Sequence, residues 1–285
     1  MLLSLAERFS QKNLPVQLFF TTSSSSLRWH SHDFLEIALL FDGESIYETD
    51  FSSEKISKGD VVFVPMGGTH RYREESNVQL MNILFLYDKL TFPYQEICLH
   101  PGFSALFRLR LDYYRQMKFY PKVHLNDKQL EQARNILLPA WENQENHLPG
   151  ATLGVYGAFL QIIPILLAAW DSTNYPEIRR QPVLISEAIS KMNTRFREKL
   201  FIPDLAKEAG MSESSFTRHF KQATGETPVE YLLKLRLQDA AAMISTGTSI
   251  SEAAYAAGFS DSNYFSRLFK QKYGVSPRNF RKFPK

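Results

Sequence analysis

The chain has 285 residues, with 33 Lys and Arg against 30 Asp and Glu, so its formal net charge is only +3. Apolar residues make up 44% of it, which predicts folded cores, and the length suits one large domain or two ordinary ones. The single cysteine, Cys98, excludes an intramolecular disulfide framework and any multi-cysteine zinc site. We expect no apolar run of the roughly 18 residues that span a bilayer. The first residues make a poor signal peptide, so a cytoplasmic protein without membrane contact is predicted.

Residues 16 to 86 are predicted to form short β-strands. Five segments are apolar or alternate apolar with polar residues, and they are rich in Val, Ile, Phe and Tyr: 16–20, 36–41, 45–49, 60–65 and 78–85. Turn signals separate them at Asp42-Gly43, 58–60, 66–68 and 74–77. Several short strands at this spacing indicate an antiparallel sandwich or a small barrel.

Three of the seven histidines lie near one glutamate in this strand region. His30 and His32 are two residues apart and share a strand face, Glu36 has the same parity, and a returning strand can bring His70 opposite them. Three imidazoles and one carboxylate suit a divalent transition metal such as Zn, Ni, Fe or Mn. Histidines can equally hydrogen-bond within a barrel wall, so both uses stay open.

The spacing of these residues is similar to the paired motifs of the cupin barrel. The matching positions are His30, His32, Glu36 and Gly43 in the first motif and Gly59, Pro65, Gly67 and His70 in the second. Two departures are the missing leading glycine and Glu74, which stands where the second motif often has Asn. The resemblance implies a cupin-like sensor in which the His and Glu side chains hold a metal or line a pocket for a sugar. Trp29 and Tyr47 are candidates for stacking on the sugar ring.

The remaining histidines, His100, His124, His147 and His219, have no companions in the sequence and are predicted to be ordinary surface or core residues.

After residue 100 the apolar period becomes that of a helix. Residues 127–145 carry apolar side chains at helical spacing, and Asn126 or Asp127 can cap the start. Residues 153–170 form a second apolar helix, which Pro164 should kink. The predicted hairpin, about 126–170, has more apolar surface than one partner helix covers. Either a dimerisation face or packing on the barrel explains the excess.

Residues 171–182 are polar, contain two prolines and are predicted to link two domains. Residues 181–285 hold 16 Lys and Arg and 10 Asp and Glu, a net charge of +6, whereas residues 1–180 carry −3. A basic third beside a slightly acidic remainder favours a nucleic-acid partner, although a solvated basic surface gives the same count.

The basic third contains an internal repeat. Segment 202–228 matches segment 250–277 at an offset of 48 residues before the first glycine and 49 after it. The coinciding pairs are Phe216/Phe265, Arg218/Arg267, Phe220/Phe269, Lys221/Lys270, Gly225/Gly274 and Pro228/Pro277. Two copies in register indicate two structural units of the same kind.

Each copy is predicted to be a helix-turn-helix. A short helix (204–209; 251–257) ends at Gly210 or Gly258, because the residue after a helix favours positive φ. Ser212 in one copy, and Ser260 or Asp261 in the other, then caps a second helix. That helix has one apolar stripe and an opposite face of small, polar and basic side chains, which suits entry into the major groove. A longer helix, 229–244, is predicted to join the units.

The last hundred residues resemble the DNA-binding domain of the AraC/XylS family of bacterial transcription regulators. The second unit, 250–281, carries the resemblance almost position by position. The family implies that helices 213–222 and 261–271 enter the major groove. Base-facing residues carried over from it are Ser214, Thr217 and Arg218 in the first helix and Ser262, Asn263, Ser266 and Arg267 in the second. Lys221 and Lys270 complete the predicted DNA face.

We therefore predict an α+β protein that acts as a ligand-responsive transcription regulator. A cupin-like effector and dimerisation domain (1–170) is joined by a linker (171–182) to an AraC-type DNA-binding domain (183–285). The resemblance implies binding to double-stranded promoter DNA, recruitment of RNA polymerase as an activator, a homodimer and no catalytic activity. Two alternatives remain: a metal-dependent cupin enzyme fused to a DNA-binding domain, and an architectural DNA binder with a degenerate sensor.

Overall fold

The structure is a computed structural model that describes residues 2–3, 15–22, 28–86, 90, 97, 99–170 and 180–282. Backbone contacts divide the chain into two compact units, Met1–Val183 and Leu184–Lys285. Most of the predicted linker, 171–179, lies outside the described residues. The last two residues of the predicted linker, Gln181 and Pro182, form the first turn of a helix. Proline is tolerated there, since the first N–H groups of a helix have no partner within it.

Eight strands lie in the described part of the first unit. They are β1 (Leu2–Leu3), β2 (Val16–Thr21), β3 (Ser31–His32), β4 (Leu35–Thr49), β5 (Ser53–Ser57), β6 (Asp60–Val64), β7 (His70–Phe85) and β8 (Lys122–His124). Six of them form an antiparallel sheet in the order β2-β7-β4-β6-β8, with β5 paired to β4. The remaining two, β1 and β3, pair in parallel. This antiparallel sheet agrees with the predicted fold class.

Two predicted turns are wrong, because Asp42-Gly43 and 74–77 lie inside the long strands β4 and β7. The pairing of these strands shifts register three times between Leu40 and Ile46, as β-bulges do. Gly43 and Asn77 take up the irregularity with φ of 87° and 50°. Bulges bend a strand without ending it. As a result β4 pairs with β6 in its first half and with β5 in its second.

Alternate residues of the sheet pack into two separate clusters. On β4, Ile37 and Leu39 join the larger cluster, which also contains helical residues. Ala38 and Leu40 point the other way and pack with Tyr47 in an inner cluster. Since side chains alternate along a strand, Glu36 shares the inner face with Ala38 and Leu40. The sheet therefore directs the predicted glutamate ligand into the inner face.

The described helices of the first unit are α1 (Pro101–Phe107), α2 (Leu111–Gln116), α3 (Asp127–Glu145) and α4 (Ala151–Ala168), and residues of α1, α3 and α4 belong to the larger cluster. Asn126 caps α3 in a reciprocal pair of hydrogen bonds with Gln129, as its predicted capping role requires. At the other end of α3, the Gln144 amide donates to Leu18 O at 2.7 Å and accepts from Leu18 N at 3.1 Å. The side chain of Gln144 thereby hydrogen-bonds both backbone groups of Leu18 in β2, a strand at the edge of the sheet.

Helix α4 is long and apolar enough to cross a membrane, with 18 residues and a mean hydropathy of 1.8. The expectation that no apolar run reaches this length is therefore wrong. The helix packs its buried residues, such as Phe159 and Ile162, into the larger cluster, and a core helix passes the same test of length and composition. On its opposite face, Leu153 is 73% exposed in the part of the chain that the structure describes. Packing on the barrel thus accounts for one face of α4 only.

The second unit is helical in all its described elements. They are α5 (Gln181–Arg195), α6 (Ile202–Glu208), α7 (Glu213–Thr224), α8 (Pro228–Ser245), α9 (Ile250–Ala256), α10 (Ser262–Tyr273) and α11 (Pro277–Lys282). Helix α8 starts with a capping box between Thr227 and Glu230. Helices α7 and α10 both end at a glycine in the left-handed conformation, Gly225 and Gly274. Local signals in the sequence thus set the ends of these elements.

Candidate functional site

Two helix-turn-helix units are formed by α6 with α7 and by α9 with α10. Gly210 and Gly258 end the first helix of each unit with φ of 66° and 91°. Ser212 accepts a hydrogen bond from Ser215 N, and Asp261 accepts from Asn263 N and Tyr264 N. The predicted glycine ends are confirmed, and Asp261 rather than Ser260 caps the second unit.

Buried phenylalanines hold the two second helices at matching positions. Phe216 and Phe220 are fully buried in α7, with ring centroids 5.7 Å apart. Phe265 and Phe269 are fully buried in α10, with centroids 5.4 Å apart. Because each pair fixes the apolar face of its helix inside the unit, the polar face of the same helix is turned outward.

The predicted DNA-contacting residues lie on these outward faces. Ser214, Arg218, Lys221, Asn263, Arg267 and Lys270 are exposed, and Thr217, Ser262 and Ser266 are half-buried. Among the described residues, none of the four cations in this set has an ion pair within 4 Å. The Arg267 guanidinium lies over the Tyr264 ring at 5.4 Å from its centroid. Tyr264, which the sequence reasoning missed, therefore belongs to this face.

Several other cations of the second unit have structural partners. Arg236 donates at 2.7 Å to both Phe196 O and Glu198 O, which follow the end of α5. Lys272 donates to a backbone oxygen of α8 at 3.0 Å, and Arg197 pairs with Asp239 at 2.6 Å. The net charge of +6 therefore overstates the number of cations that are available to a binding partner. Four cations without ion pairs among the described residues lie on the outward faces of α7 and α10.

The predicted histidines and glutamate meet on the inner face of the first unit. His30 and His70 form an antiparallel bridge, with backbone N to O distances of 3.1 and 3.0 Å. His32, Glu36 and His70 are buried, and His30 is half-buried. Candidate ligand atoms of His30, Glu36 and His70 all lie within 4.8 Å of one another. This histidine cluster, defined by the four residues, brings together the predicted metal ligands.

His32 has a different place in the cluster from the one predicted. It is not among the three residues whose ligand atoms converge; its Nε2 lies 3.0 Å from Glu36 Oε2. Its ring also stacks on Phe34, with centroids 4.2 Å apart and planes 5° apart. His32 therefore supports the carboxylate from one side, and three rather than four side chains converge.

The backbone orients the histidine rings. The Nδ1 atoms of His30 and His32 lie 2.9 Å from Arg28 O and 2.7 Å from Phe34 O, and that of His70 lies 3.5 Å from Gly68 O. A proton on Nδ1 leaves a lone pair on Nε2. The Nε2 atom of His70 is buried and has no hydrogen-bond partner among the described residues.

The cluster holds an ionised carboxylate beside a neutral imidazole. Burial lowers the pKa of His70 to about 4, against the opposing pull of the Glu36 carboxylate. Burial alone raises the pKa of Glu36, but the close His32 imidazole and the charges of His70, His32 and His30 lower it to about 2. Near neutral pH, a lone pair of the neutral His70 imidazole thus faces a buried carboxylate. A cation between them relieves this repulsion.

Comparison with known proteins gives matches in both units. A helix-turn-helix domain family matches residues 205–282, and the AraC-like ligand binding domain matches residues 19–109. The HTH-type transcriptional activator RhaR of Mannheimia succiniciproducens is 28% identical over 256 residues, which cover 88% of this chain and 86% of that protein. The HTH-type transcriptional activator RhaS of Escherichia coli matches with the same identity and coverage. The chain belongs to the AraC family of transcription regulators.

A solved structure is also similar to part of this chain. A transcriptional regulator from Chromobacterium violaceum with an AraC-type DNA-binding domain is 33% identical, covers 36% of this chain and 95% of that chain, and has a TM-score of 0.33. The relatives named above are transcription regulators, a class that is not enzymatic, and no enzyme family is indicated. The alternative of a cupin enzyme therefore has no support from these comparisons.

In this AraC-family chain, the two predicted stacking residues lie in different surroundings. Tyr47 is buried in the inner cluster, with its ring centroid 5.9 Å from that of His70. Trp29 is 38% exposed and lies under the Arg71 guanidinium. A cavity beside Tyr47 measures about 10 Å³, which is smaller than a sugar.

Two of the histidines predicted to lack companions have partners in the AraC-family structure. His124 Nδ1 lies 3.0 Å from Asp60 Oδ1, and both residues lie at the pairing of β6 with β8. His100 caps α1 by accepting a hydrogen bond from Gly102 N at 3.1 Å. These are structural contacts, and they lie outside the histidine cluster.

Proposed function

We propose that this AraC-family regulator is a ligand-responsive activator that reads promoter DNA with α7 and α10. The observation that carries the proposal is the matched pair of outward faces, each held by two buried phenylalanines and each carrying an arginine and a lysine without ion pairs among the described residues. Arginine can make two hydrogen bonds to guanine, and small hydroxyl side chains permit close approach to the bases. The lysines supply phosphate contacts, which make the affinity dependent on salt.

The test measures the operator affinity of the full chain after the operator is selected from random duplex DNA. We expect Arg267→Ala and Arg218→Ala each to weaken binding about 5- to 150-fold, which corresponds to roughly 1–3 kcal/mol, and to relax preference at one base pair. Lys128→Ala on α3, which removes one exposed charge from the first unit, is the matched control. An equal loss of affinity for all DNA sequences would show that the arginines contact only phosphates. Unchanged affinity would show that these helices do not contact the DNA.

Activation and dimerisation follow as parts of the same proposal. The relatives are named transcriptional activators, which supports recruitment of RNA polymerase in the cytoplasm. The uncovered face of α4 supports a homodimer, because Leu153 and Pro164 leave apolar surface exposed. Sedimentation of the full chain should show a dimer that Leu153→Glu converts to a monomer, whereas Glu131→Lys on the exposed side of α3 leaves it unchanged. A monomeric wild-type chain would refute this part.

The effector is proposed to be a sugar or sugar derivative bound on the inner face beside the histidine cluster, where Tyr47 and the partly exposed Trp29 can stack on it. The cavity beside Tyr47 is smaller than a sugar, so we expect binding there to move aromatic side chains, and such a movement can bias the regulator toward one state. A thermal-shift screen of the full chain with sugars and sugar acids tests this. A ligand that binds only the folded state raises the unfolding temperature by mass action. If a ligand raises the unfolding temperature of Tyr47→Ala as much as that of the wild-type chain, the effector site lies elsewhere.

A divalent transition metal is the proposed cofactor of the histidine cluster. The buried Nε2 atom of His70, which lacks a hydrogen-bond partner among the described residues, and the ionised Glu36 fit such an ion, with His30 as the third ligand and His32 supporting Glu36. Zn, Ni, Fe and Mn all accept this donor set. The metal would supply a positive centre for hydroxyl oxygens of the effector. Elemental analysis should find about one metal per chain, lost in His70→Ala and kept in His147→Ala; an equal metal content in both variants would refute the site.

A further inference from the structure

A cavity of about 500 Å³ opens on the first unit outside the inner face. We name it the outer cavity. Four segments line it: residues 33–35 between β3 and β4, the turn at 65–66 after β6, residues 85–86 at the end of β7, and the stretch from 106 to 111 with Tyr114. Small-molecule sites typically have volumes of about 300–1,000 Å³. The volume of the outer cavity therefore lies within the range of such sites.

The wall of the outer cavity is apolar apart from three charged side chains. Most lining residues are aliphatic or aromatic, and the charged ones are Asp33, Arg108 and Arg110. An apolar cavity with a few polar groups is the usual form of a site that binds a small organic molecule. The polar groups then decide which chemical class the cavity accepts.

Among the described residues, Arg110 has only a long ion pair and one oxygen of Asp33 has no hydrogen-bond donor. Arg110 is exposed, and its guanidinium lies 4.0 Å from the Asp112 carboxylate, at the limit of an ion pair. Asp33 Oδ1 is buried and has no hydrogen-bond partner within the described residues. A buried oxygen without a donor is costly, by about 1–3 kcal/mol. A ligand that brings an acid for the arginine and a donor for Asp33 satisfies both.

We propose that the outer cavity binds a small carboxylate with an apolar body and a hydroxyl or ammonium donor. The guanidinium of Arg110 receives the carboxylate, for which arginine offers paired N–H groups. Asp33 accepts from the donor, and the apolar body fills the space between Phe34, Phe107 and Leu109. This ligand differs in class from the sugar proposed for the inner face. The outer cavity is therefore a second input to the regulator.

The test uses the full chain labelled with ¹³C at its methionine methyl groups. Met66 lines the outer cavity and is 60% exposed, so its signal reports on ligand there, while Met192, Met211 and Met243 in the second unit provide reference signals. Four related probes are compared: phenyllactate and phenylalanine carry both acid and donor, 3-phenylpropanoate lacks the donor, and 3-phenylpropanol lacks the acid. We expect phenyllactate or phenylalanine to shift the Met66 signal with saturation, 3-phenylpropanoate to bind at least 10-fold more weakly, and 3-phenylpropanol to give no saturable shift. Equal shifts with all four, or none with any, would overturn the proposal.

Variants locate the bound probe. Arg110→Gln should weaken binding at least 10-fold, and Lys128→Gln, which removes an exposed charge elsewhere in the same unit, should not change it. Leu109→Trp narrows the cavity and should also abolish the shift; Trp fluorescence unfolding and the reference methyl signals show whether it folds. Loss of binding in Glu36→Gln but not in Arg110→Gln would place the probe in the histidine cluster and refute the outer cavity. A failure of the sugar screen bears only on the proposed inner-face effector.

Discussion

Gly210 and Gly258 occupy the same position in the two helix-turn-helix units but have different surroundings. A Cβ added at Gly258 would lie 2.7 Å from Arg197 O and 3.0 Å from Arg236 Nε. A Cβ added at Gly210 meets nothing within 4 Å. Substitution by alanine in each unit therefore separates the cost of the backbone conformation from the cost of the contact.

The expected losses of stability can be worked out from these contacts. Both glycines have positive φ, which costs an L-residue roughly 1–2 kcal/mol. We therefore expect Gly210→Ala to lower the free energy of unfolding by about 1–2 kcal/mol. Gly258→Ala must also displace a backbone oxygen, and overpacking typically adds about 1–3 kcal/mol, for a total of about 2–5 kcal/mol.

Hydrogen exchange of the full chain, read by mass spectrometry, measures both losses in peptides from Leu184–Lys285. The three tryptophans, Trp29, Trp141 and Trp170, all lie in the first unit, so unfolding followed by Trp fluorescence is the internal control and should not change. Equal losses in the two variants, or a larger loss in Gly210→Ala, would refute the argument from the Arg197 contact.

Two further predictions concern the first unit. Gln144→Ala leaves the backbone N–H and C=O of Leu18 without their side-chain partner, so it should lower the free energy of unfolding in urea by about 1–3 kcal/mol. The control Gln129→Ala removes one exposed cap and should lower it by about 1 kcal/mol. Similar losses in the two variants would contradict the strand-edge role of Gln144. Burial holds the pKa of His70 at about 4 against an ordinary value of 6.5. The unfolded chain therefore binds the extra proton between these values, and the stability of metal-depleted protein should fall as pH drops through this window. His70→Asn should flatten that dependence, and an unchanged pH profile would show that His70 does not carry it.

Local signals made the second unit predictable, and long-range pairing limited the prediction of the first. The caps Ser212 and Asp261 act within one turn of their own helices, so the sequence around them is sufficient. Asp42-Gly43 was predicted as a turn because glycine with positive φ suits both a turn and a bulge. The pairing of β4 with β7 decides between them, and β7 lies about thirty residues further along the chain.

Parity and spacing also predicted the histidine cluster in part. They placed Glu36 on the inner face with His70 opposite, but they could not tell which of His30 and His32 converges with these two residues. Ring orientation decides that, because His32 is turned by its contact with Phe34. The outer cavity had no signal in the sequence at all, because its lining comes from four separate segments that only the folded chain brings together.

The stack of Phe34 on His32 connects the outer cavity with the histidine cluster. Phe34 lines the outer cavity, and its ring lies against the imidazole that supports Glu36. A ligand that displaces this ring from one side must change the free energy of binding on the other side. Thermodynamic reciprocity then requires each ligand to alter the affinity of the other by the same factor. If both proposed ligands bind, this coupling would make the regulator respond to the combination of the two ligands rather than to the concentration of either one.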